Sequence, residues 1–154
     1  MRIAKINTSL SHFFYHWVEF IEPFHKLGKT EKKVLAELLY HRYLLSQEVT
    51  SEHLLNKLVF ESEVRQAICD SIGIPRVRLG LVLSQFRKAK ILDGKKLNKH
   101  FIPDIKLGDK EFVLAFKFKI EGNEEGIYSK AIRGKTKGNS NSRRSRGKGS
   151  KGSI

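Results

Sequence analysis

Apolar positions recur at helical spacing in several consecutive stretches of this chain. The sharpest pattern lies at 75–88, where apolar side chains stand at i, i+3, i+4 and i+7: Leu79, Val82, Leu83 and Phe86. Such a stripe covers the face of a helix that packs against a core. Pro75 fits the first turn of this helix, because its missing N–H needs no partner there.

The stretch at 62–72 predicts a second helix immediately before it, with an inward stripe of Val64, Ala67, Ile68 and Ile72. Ser62 is a plausible N-cap. Gly73 supplies the left-handed residue that ends a helix, and Ile74 turns back towards the core. The two helices are therefore predicted to be joined by a tight turn.

The pattern changes from helical to alternating after Leu92. Asp93-Gly94 is a strong hairpin signal, and the pair Phe101-Ile102 predicts a short strand that Pro103 ends. A second turn is expected at 106–110. It leads into the most regular predicted strand, at 112–120. The residues expected on its core face are Phe112, Leu114, Phe116, Phe118 and Ile120. They alternate with Val113, Ala115, Lys117 and Lys119 on the other face.

An aromatic helix is predicted near the N-terminus, capped by Thr8 or Ser9 and ending at Pro23. Its apolar face contains Phe13, Trp17, Phe20 and Ile21. This face either completes the core of the domain or forms a homodimer seam, since symmetric pairing is a common way to bury such a stripe. Two further helices are expected, one from Thr30 and a short one capped by Thr50 or Ser51.

The stretch 62–92 resembles the winged helix-turn-helix family of DNA-binding domains. The shared hydrophobic and turn positions are Ile72, Gly73, Ile74, Leu79, Val82, Leu83, Phe86, Ile91 and Leu92. Two positions depart from the family pattern, Pro75 in place of serine and Lys90 in place of the glycine before the strand. The resemblance implies that the Thr30 helix is the buried first helix and that the strands form the sheet and wing.

The predicted fold class is thus α+β: a mainly helical winged helix-turn-helix domain with a small antiparallel β-sheet and wing. We expect the N-terminal aromatic helix at 1–28, the winged helix domain at 29–121, and a disordered basic tail rich in Gly, Ser, Arg and Lys at 122–154. A chain of 154 residues suffices for one such domain with appendages.

The net charge of the chain indicates the class of ligand that it binds. Thirty Lys and Arg residues against sixteen Asp and Glu give a net charge of +14. The excess is present in the body and in the tail, where Arg143, Arg144 and Arg146 cluster. Such a balance is typical of nucleic-acid binding, because neutralising phosphates releases counterions.

Other chemistry is not indicated. The single Cys69 excludes an intramolecular disulfide and a cysteine-based zinc site, and fits a reducing cytosolic setting. His12 and His16 lack a third ligand at metal-binding spacing. Without a phosphate-binding glycine motif or a catalytic constellation, we predict no enzyme activity, cofactor or metal. No apolar run reaches the length of a membrane span, so we expect a cytoplasmic, nucleoid-associated protein or a virion component.

The resemblance predicts that helix 75–88 enters the major groove of double-stranded DNA, as in a transcriptional regulator or replication factor. Side chains expected at base edges are Arg76, Val77, Arg78, Leu81, Ser84 and Gln85. Side chains expected at the phosphate backbone are Arg65, Arg87, Lys88, Lys95, Lys96, Lys99, Lys106 and Lys110.

Two alternatives remain. Val77 and Leu81 are apolar at the centre of the outward face, which would also suit a protein partner in an assembly protein of a nucleoprotein complex. RNA binding through the tail is a weaker alternative.

Overall fold

The computed structural model describes residues 2–106 and 108–122. This part of the chain contains six α-helices, two short strands and a 3-10 helix at Lys99–Phe101. The elements are α1 Leu10–Phe20, α2 Glu22–His25, α3 Lys29–Ser46, α4 Glu52–Leu58, α5 Ser62–Ile72, α6 Arg76–Lys88, β1 Leu92–Asp93 and β2 Lys96–Leu97. The protein is therefore mainly helical with a small two-stranded antiparallel sheet.

The core forms around α3, which packs against α1, α4, α5 and α6. The inward stripe predicted for α6 is buried in full. In α5, Ile68 and Cys69 are buried while Ala67 is exposed. The chain divides into two units, Met1–Phe112 and Val113–Ile154. The domain boundaries expected at residues 28/29 and 121/122 stay predictions.

The N-terminal helix α1 packs along α3 and completes the core, which was one of the two alternatives. Ser9 caps it, and the buried side chains are Phe14, Trp17, Val18 and Ile21. The expected inward face was therefore partly wrong. Phe13 is half-buried, and Phe20 is 44% exposed. A homodimer through this helix stays a prediction, but Trp17 and Ile21 already lie in the chain's own core.

Trp17 also joins α1 to the region after the hairpin. Its indole Nε1 donates a hydrogen bond to the carbonyl oxygen of Phe101 over 2.8 Å. The ring of Phe112 packs edge-on against Phe13 and Trp17, with centroid distances of 5.1 and 5.7 Å. These contacts hold residues 101–112 against the helical core.

A buried carboxylate, Glu37 on α3, links three helices in a way that the sequence pattern did not indicate. Its Oε1 accepts hydrogen bonds from Tyr15 Oη on α1 at 2.7 Å and from Ser71 Oγ on α5 at 3.0 Å. His41 Nε2 lies 3.6 Å from Oε2. Burial and the bond to Glu37 raise the pKa of Tyr15, so the phenol keeps its proton as a donor. Burial lowers the pKa of His41, against the attraction of Glu37.

The β-hairpin follows α6 as predicted. β1 pairs antiparallel with β2, with Leu92 opposite Leu97 and Asp93 opposite Lys96. Gly94 begins the two-residue loop with φ +60°, a conformation that glycine adopts at little cost. The turn at 106–110 also forms, since the N–H of Asp109 donates to the carbonyl of Lys106 over 3.1 Å.

Two expected strands are not present. Residues Phe101 and Ile102 lie at the end of the 3-10 helix, where the N–H of Ile102 donates to the carbonyl of Lys99. The alternating segment 112–120 contains no strand. Within residues 2–106 and 108–122 the only strand ladder is that of β1 and β2, so this segment has no partner with which to form one.

The turn after α6 explains how Lys90 replaces the expected glycine. Lys90 takes the left-handed conformation with φ +60°. The N–H of Ile91 donates to the carbonyl of Phe86, and that of Lys90 to the carbonyl of Arg87. This pair of bonds is a Schellman motif. The helix therefore ends where the pattern predicted, with the backbone strain of a side chain at a glycine position.

We expect Lys90→Gly to raise the free energy of unfolding by about 1 kcal/mol, because glycine adopts the left-handed conformation without strain. Gly73 provides the opposite control. It ends α5 with φ +78°, and an added Cβ would meet no atom within 4 Å, so Gly73→Ala tests backbone strain alone. We expect that variant to lose about 1 kcal/mol. Urea unfolding measures both, and equal effects of one sign would contradict the explanation.

Candidate nucleic-acid interface

The outer face of α6 is the side turned away from the core, and it consists of Val77, Arg78, Leu81, Ser84 and Gln85. All five side chains are exposed, as predicted for them. Val77 and Leu81 are 77% and 63% exposed, which is high for apolar residues. Gly80 lies beside them and leaves open space around its Cα. The face thus combines apolar surface with two polar side chains of long reach, Arg78 and Gln85.

Arg76 does not belong to this face, although it was expected at base edges. Its Nη2 donates to the backbone carbonyl of Ser62 at 2.7 Å and to the Ser62 hydroxyl at 2.6 Å. The side chain therefore joins the first residue of α6 to the first residue of α5. Reaching a base edge would require both hydrogen bonds to break.

Ser84 has part of its hydrogen-bonding capacity occupied within α6. Its hydroxyl donates to the carbonyl of Gly80 at 3.1 Å. The hydroxyl oxygen can still accept a hydrogen bond from a ligand, but the hydroxyl has no second proton to donate.

An open cleft of about 410 Å³ lies between the N-terminal halves of α5 and α6. Arg65 and Arg76 line it together with Phe60, Ser62, Val77, Leu79 and Gly80. The Nε of Arg65 is buried and has no hydrogen-bond partner among the residues described. Arg65 was expected at the phosphate backbone, and the fold brings its cation beside that of Arg76.

The basic groove, as we call the second cleft, has a volume of about 630 Å³ and lies between the end of α6 and the hairpin. Its lining consists of Arg87, Lys90, Leu92, Asp93, Lys96, Leu97, Asn98, Lys99 and His100. Four of these side chains are cationic and one is acidic. Of the residues expected at phosphates, the groove brings together Arg87, Lys96 and Lys99.

Two hydrogen bonds hold the groove in shape. Arg87 Nε donates to the carbonyl of Gly94 at the hairpin tip over 3.3 Å. Asn98 Nδ2 donates to the carbonyl of Lys90 over 3.3 Å. Both bonds join the end of the helix to the hairpin, so the cations are presented from two elements at a defined separation.

Lys90 and His100 are members of the groove that the sequence analysis did not name as contacts. Lys90 was noted only as a substitute for glycine. The signal for Lys90 was its place at a predicted left-handed turn, because such a residue lies where helix and hairpin meet. Nothing in the local pattern around His100 indicates its place.

The other expected phosphate contacts lie outside the groove lining. Lys88 is exposed in the last turn of α6, and Lys95 is exposed in the hairpin loop. Lys106 and Lys110 are exposed in and after the second turn. The tail residues Arg143, Arg144 and Arg146 lie outside the described residues.

Among residues 2–106 and 108–122, no three His, Cys, Asp or Glu side chains gather in a way that would hold a metal ion. The helices described also include none with the length and apolar character needed to cross a membrane.

Comparison with known proteins gives no relative. The chain matches no family model, no curated protein and no solved structure.

Proposed function

We propose that this protein binds double-stranded DNA as a winged helix protein, with the outer face of α6 in the major groove. The observation that carries the proposal is the exposure of this face on a helix whose C-terminal end continues into the basic groove. The order α3, α5, α6 and hairpin supports the winged-helix assignment, because the family resemblance implies these elements in that order.

The dimensions and chemistry of α6 suit this role. Its thirteen residues span about 20 Å, and the major groove admits one α-helix. Arg78 has the donors for the O6 and N7 of guanine, and Gln85 has the donor and acceptor for the N6 and N7 of adenine. Val77 and Leu81 supply apolar contact for thymine methyl groups.

The basic groove would then contact the phosphate backbone next to the bases read by α6. Phosphate contacts position a protein on the duplex without reading sequence. Arg87 belongs to the last turn of α6 and Lys90 to the turn that follows it. Lys96 belongs to β2 and Lys99 to the 3-10 helix. The basic tail, if it contacts DNA, would add affinity in the same sequence-independent way.

The test is a selection of duplex sites from a random pool by the full-length protein, followed by the same measurement on the double variant Arg78→Ala/Gln85→Ala. We expect the natural protein to enrich a defined site. The variant should lose at least about 30-fold in affinity for that site, because each of the two bidentate base contacts contributes about 1–3 kcal/mol. Its affinity for random duplex and its salt dependence should stay unchanged.

The matched control is Lys33→Ala/Gln47→Ala, which removes one cation and one amide from exposed positions of α3 and its C-terminal cap. This control should retain the selected site. If the natural protein enriches no sequence, or if both double variants behave alike, base reading by α6 is wrong.

A second candidate is a protein-docking role for the same face, favoured by the exposure of Val77 and Leu81. In that case α6 binds a partner within a nucleoprotein assembly, and nucleic acid is held elsewhere. Val77→Ala/Leu81→Ala separates the two. Loss of the selected DNA site supports DNA reading, whereas unchanged DNA affinity favours docking.

A further inference from the structure

Phe116 and Phe118, which follow Phe112 in the chain, take no part in the proposed duplex contact. The alternating pattern of 112–120 predicted that its aromatic face would be buried against a core. Instead, Phe116 is 42% and Phe118 is 83% exposed. Exposed aromatic side chains that cluster in this way commonly mark an interaction surface.

The two rings are arranged to hold a flat group. Their centroids lie 6.4 Å apart, and their planes are inclined by only 30°. Stacked bases lie about 3.4 Å apart, so a base between two rings needs about twice that distance between the ring planes. The centroid separation is of that order, and the rings are not edge-to-face, an arrangement that would block a base.

The segment 112–120 contains two cationic residues and no acidic one. Lys117 and Lys119 alternate with Phe116 and Phe118 and are exposed. Lys119 also pairs with Glu121, which leaves Lys117 without a carboxylate partner among the described residues. Aromatic faces for bases, interleaved with cations for phosphates, are the combination by which proteins hold single strands without reading sequence.

We propose that Phe116 and Phe118 receive an unpaired base of single-stranded nucleic acid, with Lys117 at an adjacent phosphate. A paired base in a duplex is stacked on its neighbours and presents no free face, so this site differs from that of α6. The protein would thus bind a single strand and a duplex at different elements. A protein that acts where a duplex opens needs both sites.

The test compares two labelled single strands that carry equal phosphate charge, using the full-length protein and fluorescence anisotropy. One is an oligomer of about twelve thymidines, within the usual site size of single-strand binders, and the other is an abasic oligomer of the same length. The tail and the basic groove contribute equally to both. We expect the natural protein to prefer the thymidine oligomer by about 5- to 150-fold, the effect of stacking one base.

The double variant Phe116→Leu/Phe118→Leu should abolish that preference, because leucine keeps apolar surface but has no aromatic face. The control Val113→Ala/Ile120→Ala removes exposed apolar side chains from the same segment and should keep it. Equal binding of both oligomers by the natural protein, or a preference that survives in the leucine variant, would overturn the proposal.

This outcome is independent of duplex recognition. The leucine variant should retain its affinity for a selected duplex site, and Arg78→Ala/Gln85→Ala should retain the preference for thymidine over abasic strands. The experiments therefore distinguish failure of the single-strand site from failure of the duplex site.

Discussion

Replacing Phe14 with alanine is expected to lower the free energy of unfolding by about 3–5 kcal/mol. Phe14 is 1% exposed on α1, and its ring lies against Tyr40 and Tyr43 of α3. Alanine would leave a cavity at the seam between the two helices that the surrounding side chains cannot fill. Urea unfolding followed by circular dichroism gives the change directly.

The matched control is Phe24→Ala. Phe24 belongs to α2 and is 72% exposed, so its loss should change the unfolding free energy by no more than about 0.5 kcal/mol. The same experiment addresses the alternative of a homodimer. If α1 formed a dimer seam, the unfolding midpoint would rise with protein concentration, whereas a helix that packs only in its own core predicts no such dependence.

The second large effect is expected from the basic groove. The triple variant Lys90→Gln/Lys96→Gln/Lys99→Gln removes three exposed cations while retaining the Arg87 bond to the hairpin. If each contacts one phosphate, the slope of log affinity against log salt should become shallower by about 2.7. At 0.1 M salt the affinity for duplex DNA should fall several hundredfold, about 0.9 log unit per contact.

A charge-matched control separates local contact from net charge. Lys26→Gln/Lys29→Gln/Lys33→Gln removes the same charge from exposed positions that do not line the groove. If both triple variants lose affinity equally, binding depends on overall charge and the groove is no specific phosphate site. A loss confined to the groove variant, with unchanged unfolding free energy, supports the proposed contact.

The sequence pattern was sufficient to predict the elements that depend on interactions between residues close together in the chain. Helices α5 and α6, the Gly73 turn and the Asp93-Gly94 hairpin lie within one residue of where spacing and turn residues predicted them. The N-cap of α5 is Glu61 and not Ser62, and Pro75 is the N-cap of α6 and not part of its first turn. Each of these elements depends on neighbours within a few positions: apolar residues one turn apart, a left-handed residue at a helix end, and a glycine in a two-residue loop. The charge surplus likewise follows from composition alone.

The contents of the candidate sites depended on contacts between residues distant in sequence. Arg76 had the expected place on its helix, yet its guanidinium binds Ser62, which only the packing of α5 beside α6 brings within reach. His100 enters the basic groove because the hairpin and the 3-10 helix fold back towards α6. In both cases local spacing determines on which face of its element a side chain lies, whereas the group it contacts belongs to another element.

The segment 112–120 and the core around Glu37 also show what local sequence pattern determines and what depends on tertiary contacts. Alternation at 112–120 specifies two faces of an extended chain, but a strand also requires a neighbouring strand, and none is present among the residues described. Glu37 interrupts the apolar run of α3, yet it is buried because Tyr15 and Ser71 converge on it from α1 and α5. Periodicity along the chain thus establishes helices, turns and faces, whereas hydrogen-bond and strand partners are established only when separate elements meet.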